Sequence, residues 1–355
     1  MGKILLLSKY SRKGASSRLR THQYLPHLNN DGIDITISAL FNDDYLRQLY
    51  DNGVVGKLLI VKAYIRRFIT LLTVFRYDAL WIEKELFPYF PAIFEKLLFL
   101  LGVNYIADYD DAIFHNYDLS ENKAIRKFLS GKIDSVMKHA AVTVAGNDYL
   151  AERAKNAGCK NIKVIPTVVD SSRYSKSLYP DRKSTIGWIG SPSTQKYVVE
   201  LLPAFKALKN KLDFKLILVG ATESVVKQLK GIEVDVIHWS ENSEVESILA
   251  MDVGIMPLHD GPWEKGKCGY KLIQYMACGI PVIASDVGVN AEVVNKHGSG
   301  LVVNSVDEWV DNLHKLLSSP SLKREFGQNG ITSVNEYYSL QVQQDLMSTT
   351  IKSVV

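Results

Sequence analysis

The stretch GKCGYKLIQYMACGIPVIASDVG, Gly266 to Gly288, sets four glycines, two lysines and two cysteines around a short apolar run that ends at Pro281. Leu272, Ile273, Met276 and Ala277 fall at i, i+1, i+4 and i+5, one side of a helix beginning at Gly269 or Tyr270. Lys271 and Gln274, three apart, lie on the other side and are expected to look outward. PVIAS follows at once as a short buried strand. A strand fed directly by an amphipathic helix is the repeating unit of an open parallel α/β sheet.

The same rhythm runs outward in both directions. KILLLS, IDITISA, DALWIEK, NYIADYD, AAVTVAG and KVIP read as strands of a first half, with a helix expected over Ser17–Leu28. TIGWIG, FKLILVG, VDVIHW, DVGIMP, PVIAS and GLVV read as strands of a second, with a helix expected from Lys196 to Lys209. Between them Pro166 to Ser184, PTVVDSSRYSKSLYPDRKS, is polar and without period, and reads as a connector. A chain of 355 residues is long for one hydrophobic core, so two α/β domains are expected, 1–168 and 169–337. Ligands of such sheets bind beyond the carboxyl ends of the strands, which directs attention to the strand-to-helix loops lining an interdomain cleft.

Composition bounds the rest. With 46% hydrophobic and 23% charged residues the chain is that of a soluble globular protein. Cys159, Cys268 and Cys278 are odd in number and form no paired framework, which favours a reducing, cytoplasmic setting. The run Ile4–Leu7 is too short for a signal segment, and no stretch reaches the about 18 apolar residues of a spanning helix. The net charge is +4, yet residues 1–80 hold 12 Lys and Arg against six Asp. Such a basic half attracts anionic lipid or phosphorylated substrates. Nucleic acid is not an expected partner, because the basic residues lack aromatic interleaving and any reader motif.

Backbone N–H groups from Gly269 to Lys271, at a helix start and near Lys265 and Lys267, suit a phosphate. The competing reading is a buried helix beside a solvated lysine loop. Cys268 and Cys278 stand ten apart with no His or further Cys at ligand spacing, so neither zinc nor redox chemistry is expected, and Cys278 reads as a small packing residue. Lys196 follows the loop GSPSTQ at another helix start. In the first half, SKYSRKGASSRLR offers Gly14 and small residues for close ligand approach, and Arg18 and Arg20 for charge, or else is a polar loop with a Ser cap. NYIADYDDAIFHN ends a strand with Asp108, Asp110 and Asp111, then His115: a D-Y-D pair able to grip a divalent cation, or a solvated acidic cap.

GKCGYKLIQYMACGIPVIASDVGVNAEVV resembles the C-terminal signature of the retaining, nucleotide-sugar-dependent glycosyltransferases of GT-B fold, E-G-F-G-x-x-x-x-E-A-M-A-C-G-x-P-V-V-A-T. VIPTVVDSSRY and TIGWIGSPSTQK resemble that family's hinge block and the V-G-R-x-x-x-x-K turn opening its second lobe. The resemblance implies two Rossmann-like doubly wound domains, a C-terminal helix over 338–355 returning to the first domain, and no metal or other cofactor. It places the donor diphosphate on the amides of Gly269, Tyr270 and Lys271, with Lys196 as its cation and Gly14, Ser191, Trp239 and Lys267 completing the donor side. Ser191 stands where the family has arginine. Gln274 replaces the glutamate that holds ribose hydroxyls, and Gly266 replaces the one that contacts the transferred sugar, with Glu264 two residues away.

Carried over further, the resemblance sets Asp110 and Asp111 at the sugar site with His115 nearby, and Ser16, Ser17 and Arg18 on the acceptor side. The implied activity is transfer of a sugar from a nucleotide-diphosphate donor to a glycan or polyprenyl-linked acceptor. An epimerase or hydrolase of the same fold and a non-catalytic sugar-nucleotide binder remain as rivals. Lys57 to Asp78 mixes long apolar side chains with five cations, and Phe87 to Gly102 is strongly apolar. Both read either as helices covering the sheet or as a peripheral contact with an anionic membrane.

Overall fold

The structure, a computed structural model, describes residues 2–174 and 183–355. It divides into two compact units: one of Met1–Val168, Gly266–Cys268 and Val342–Val355, the other of Val169–Lys265 and Gly269–Gln341. Each is built on a six-stranded, wholly parallel sheet with helices around it.

In the first unit the strands are β1 (Gly2–Leu7), β2 (Ile33–Ile37), β3 (Ala79–Glu83), β4 (Tyr105–Tyr109), β5 (Val142–Ala145) and β6 (Ile162–Val164), in the order β2-β1-β3-β4-β5-β6. In the second they are β7 (Ser184–Ile189), β8 (Phe214–Val219), β9 (Val234–Ile237), β10 (Val253–Met256), β11 (Val282–Ser285) and β12 (Gly300–Val303), in the order β12-β11-β10-β7-β8-β9. All twelve expected strands are present. They were legible because parallel strands covered on both faces become continuous apolar runs. Every residue of β3, β4 and β5 is buried, whereas the edge strands β2 and β9 are partly open. In both sheets strand order reverses next to the first strand, between β1 and β3 and between β7 and β10, and a doubly wound sheet opens its ligand crevice at such a reversal.

Two expected helices are broken, each by a proline. The segment expected as one helix from Ser17 to Leu28 is a helix Ala15–Arg20, a 3-10 turn and a second helix Leu25–Asn30. The Lys196–Lys209 helix is split into Lys196–Val199 and Leu202–Lys209. Pro26 and Pro203 occupy the first turn of the later helix in each case, where a missing N–H is tolerated, and neither could continue the preceding one. The connector expected over 166–184 falls partly on 175–182, outside the described residues. Its described start is ordered: Val169 donates to Tyr338 O at 3.1 Å and accepts from Leu340 N at 2.7 Å. The last helix, Leu340–Lys352, contributes its later residues to the first unit, where Lys352 pairs with Asp31 at 3.2 Å.

Gly300 opens β12 directly opposite Val282, and a Cβ built on it would lie 1.9 Å from the Val282 carbonyl oxygen. Main chain in the sheet cannot retreat as a flexible side chain can. Gly300→Ala is therefore expected to lower unfolding stability by about 1–3 kcal/mol, read from urea denaturation monitored by circular dichroism.

Candidate functional site

In the first unit, the loops after β1, β3 and β4 gather around one buried cation. The chain leaves β3 through Lys84, which has φ +68°, a left-handed conformation uncommon for a residue with a side chain. Its amide still donates to Asp108 O at 2.9 Å, extending the pairing with β4. The ammonium lies 2.8 Å from Asp110 Oδ1, donates to Ser16 Oγ at 2.9 Å, and is 3.8 Å from Asp111 Oδ2. Ser16 Oγ donates in turn to Asp110 Oδ2 at 2.6 Å. Glu83 is wholly buried below, accepting from Ser17 Oγ at 2.6 Å and Lys9 N at 3.0 Å.

The charges set one another. Burial opposes the Lys84 ammonium, but Asp110, Asp111 and Glu83 outweigh it and hold the group protonated. Burial likewise opposes ionised Asp110, and the Lys84 charge with hydrogen bonds from Lys84 and Ser16 prevails, keeping its carboxyl below the usual range. Asp111 moves the other way, raised by burial and the neighbouring Asp110 charge despite Lys84 and Lys267. Asp108 belongs elsewhere: it accepts from Arg20 Nε at 2.5 Å and Trp81 Nε1 at 3.0 Å. The two carboxylates of D-Y-D are thus held by two different cations, Arg20 and Lys84, rather than by a shared site.

Several expected residues have other duties. A Cβ on Gly14 would meet Tyr10 Cβ at 2.4 Å, so this glycine makes room for Tyr10. Ser17 and Arg18 are buried. His115 is spoken for on both ring nitrogens, by Asp118 Oδ1 at 2.8 Å and the Tyr149 hydroxyl at 2.9 Å, and does not join the Lys84 cluster.

Residues Gly266–Cys268 pack within the first unit. Asn147 Nδ2 donates to Gly266 O at 3.0 Å and Lys267 O at 3.1 Å, and the Cys268 thiol donates to Asp110 O at 3.0 Å. A Cβ on Gly266 would lie 2.3 Å from Ala112 Cβ and 2.8 Å from Ala112 N. No side chain fits there unless the Ala112 main chain shifts. The Glu264 carboxylate accepts a hydrogen bond from the Tyr197 hydroxyl.

In the second unit, Gly269 adopts φ +65° and caps the helix Tyr270–Ala277. The first turn of a helix directs N–H groups and partial positive charge at whatever lies before it. The helix is pinned by Tyr275, whose hydroxyl accepts from Ile189 N at 2.8 Å and donates to Ile255 O at 3.4 Å; Gly254 supplies the space under its ring. Lys271 lies with its ammonium 4.7 Å from the buried Trp188 ring.

Gln274 departs from expectation: it is 3% exposed instead of facing outward. Its amide lies beside the Tyr174 hydroxyl, and its Nε2 makes no well-formed hydrogen bond. Buried Glu244 spans the neighbouring rings, accepting from Trp239 Nε1 at 2.8 Å and from the Tyr174 hydroxyl at 3.0 Å. Trp239, Tyr174 and Tyr270 are each partly buried against the same core. Ser191 and Lys196 are exposed, Ser191 on a turn closed by Thr194 N to Ser191 O at 2.9 Å and Lys196 at the start of the helix that follows.

Sequence reasoning missed Lys84, Glu83, Tyr174 and Glu244. The signal for the first two was present: I-E-K-E ends an otherwise apolar strand at its carboxyl end. Glu244 opens the helix after β9, close in sequence to Trp239, and it is Tyr174 that only the fold brings to it.

These two sheets define the α/β architecture of the GT-B glycosyltransferases. Residues 172–333 match the family model described as Glycosyl transferases group 1. Among curated relatives, the chain is 30% identical over 213 residues to MMP alpha-(1->4)-mannosyltransferase of Mycolicibacterium hassiacum, covering 56% of this chain and 49% of that one. It is 28% identical over 195 residues to N-acetyl-alpha-D-glucosaminyl L-malate synthase of Bacillus anthracis, covering 50% of each. The chain therefore spans about half the length of these relatives. Across nearly the whole chain the fold matches sucrose-phosphate synthase of Thermosynechococcus elongatus (TM-score 0.75, 14% identity, 100% of this chain and 99% of that one). It also matches Anabaena HepE solved with UDP and glucose (TM-score 0.73, 14% identity, 99% of this chain and 100% of that one).

Two outcomes follow from this geometry. Lys84→Met leaves carboxylates buried without their cation, and a loss of about 3–5 kcal/mol is expected at pH 8. The loss shrinks toward pH 5 as the stranded carboxyls take up protons, measured by urea denaturation at both pH values. Burial pushes the Cys268 and Cys278 thiols up to about 12, leaving roughly one in ten thousand ionised at pH 8. A disulfide reagent is thus expected to titrate only half-buried Cys159 in the native protein, and all three thiols after denaturation.

Proposed function

We propose that the chain is a glycosyltransferase that moves a sugar from a nucleotide-diphosphate donor to a hydroxyl of a glycan or polyprenyl-linked acceptor, with retention and without a metal, on the cytoplasmic side. The observation that carries the reading is the helix opened by left-handed Gly269 and followed by Lys271, within the segment that matches the transferase family. Fixed N–H groups and lysine charge at a helix start stabilise a departing diphosphate without having to reorganise as the glycosidic bond loosens. Lys271 and the amides of residues 269–271 take that role, with exposed Lys196 as the second cation. The acceptor hydroxyl passes its proton to the departing phosphate oxygen.

Trp239, Tyr174 and Tyr270 offer ring surface for a base, and the incompletely bonded Gln274 amide offers a donor for a ribose hydroxyl. Ser16, Asp110 and Asp111 are the polar groups proposed for sugar hydroxyls. Asp110 accepts in its ionised form, and Asp111, with its raised pKa, is the readier of the two to donate. The solved HepE complexes, with UDP and with UDP-glucose, support a nucleotide-sugar donor by analogy of fold. His115, engaged on both nitrogens, favours transfer over epimerisation, which needs a free acid and base at the sugar. One observation favours the non-catalytic alternative: Gly266 has no room for a carboxylate, so the chain binds a donor with one sugar contact fewer.

A thermal-shift panel of nucleoside diphosphates and their sugars tests the site, and at least one is expected to raise the melting temperature. With that donor, Lys271→Ala is expected to weaken affinity tenfold or more, since a hydrogen bond to a charged group contributes about 1.5–3 kcal/mol. Product analysis with acceptor present separates turnover from binding alone.

A further inference from the structure

Two neighbouring helices of the first unit are built inside out. In Lys57–Leu71 the inward side carries Arg67, 1% exposed, whose Nη2 donates to Ser8 O at 2.7 Å and Ser38 O at 3.0 Å. Tyr64 also turns inward, donating to Pro88 O at 2.6 Å. The outward side carries Leu58, Ile65 and Ile69, and Leu72 follows at the end. In Ile93–Leu100 the only acid, Glu95, is buried and accepts from Leu86 N at 2.9 Å, while Leu97 and Leu100 point out. Leu58, Leu72 and Leu100 are each 69% exposed. The Phe68 and Phe94 rings meet edge to face at 5.9 Å and join the two helices into one face.

A soluble helix normally buries its apolar side and shows its polar one. Here the polar groups are spent on internal hydrogen bonds and large apolar side chains are left in water over a continuous patch, which marks an interaction surface. The charge on that patch has one sign. Lys57, Lys62, Arg66 and Lys96 are exposed, and no carboxylate of either helix faces outward. A shallow groove of about 400 Å³ runs along the outer side of the first helix, lined by Lys62, Ile65, Arg66, Ile69, Thr70 and Thr73.

From this arrangement we infer that the face formed by Lys57–Leu71 and Ile93–Leu100 seats in the interfacial layer of an anionic phospholipid bilayer. Apolar side chains with lysine and arginine around them are what that layer accommodates, acyl region below and phosphates above. A second copy of the chain is the poorer occupant, because pairing the face with itself sets cations against cations without a carboxylate to answer them. Spanning is not involved: the longer helix has 15 residues, about 22 Å, against a hydrocarbon core of about 30 Å. Among the described residues no helix is long and apolar enough to cross a membrane. The inference stands apart from the transferase reading, since its test needs neither donor nor acceptor.

The test is co-sedimentation of the full chain with vesicles of phosphatidylcholine alone or with about 30 mol% phosphatidylglycerol, an anionic content at which headgroup attraction is measurable. Binding is expected with the anionic vesicles, at least tenfold weaker with neutral ones, and weaker again in high salt. The double variant Ile65→Glu/Ile69→Glu, both positions exposed, is expected to keep its melting temperature and lose binding at least tenfold. Leu58→Gln/Leu100→Gln provides a second, milder pair should the first unfold. Absence of binding to anionic vesicles overturns the inference, and so does binding that neither pair reduces. A dimer in sedimentation equilibrium that the variants dissolve, with no vesicle binding, overturns it in favour of a second copy.

Discussion

The first unit turns on a buried ammonium. Lys84 leaves β3 in a left-handed conformation and lands among Asp110, Asp111, Glu83 and Ser16. Four acidic or hydroxyl groups could not share so small and dry a space unaided, since burial alone pushes carboxyls toward neutrality. One cation lets Asp110 stay ionised while Asp111 is pushed the other way. The loops after β1, β3 and β4 are therefore joined by charge where their backbones have no ladder to share, and any chemistry performed by the two aspartates inherits its protonation pattern from that lysine.

The second unit solves the corresponding problem with aromatic packing. Tyr275 fixes the helix Tyr270–Ala277 to the ends of β7 and β10 through its hydroxyl, and Gly254 clears the space that its ring fills. Glu244 does the same for Trp239 and Tyr174, whose polar atoms it receives. Rigid positioning of a helix start matters for anion binding because the partial charge of the first turn acts over a short range.

The fold was legible because it rests on long-range regularities. Wholly buried parallel strands such as β3 and β4 leave apolar runs that no loop imitates, and the segment at Gly269 announces a strand-to-helix turn. The helices were less legible where a proline could start an element as easily as interrupt one, as at Pro26 and Pro203. The site was legible by residue type and not by partner. Asp110 and Lys271 were picked from their place in the chain, but nothing in D-Y-D says that Arg20 claims Asp108 and Lys84 claims Asp110. Likewise His115 looked available until Asp118 and Tyr149 took both of its nitrogens. Gln274 sits on the polar side of its own helix, yet Tyr174, distant in sequence, stands over it.

The contact between Gly266 and Ala112 constrains the order in which this protein can change. A side chain at 266 collides with main chain as well as with the methyl group of Ala112, so trimming position 112 to glycine relieves only part of the obstruction. A lineage acquiring a carboxylate here must first reshape the turn after β4, which also carries Asp110 and Asp111. The two loops are therefore mutationally interlocked, and substitutions that are harmless in one order are harmful in the other.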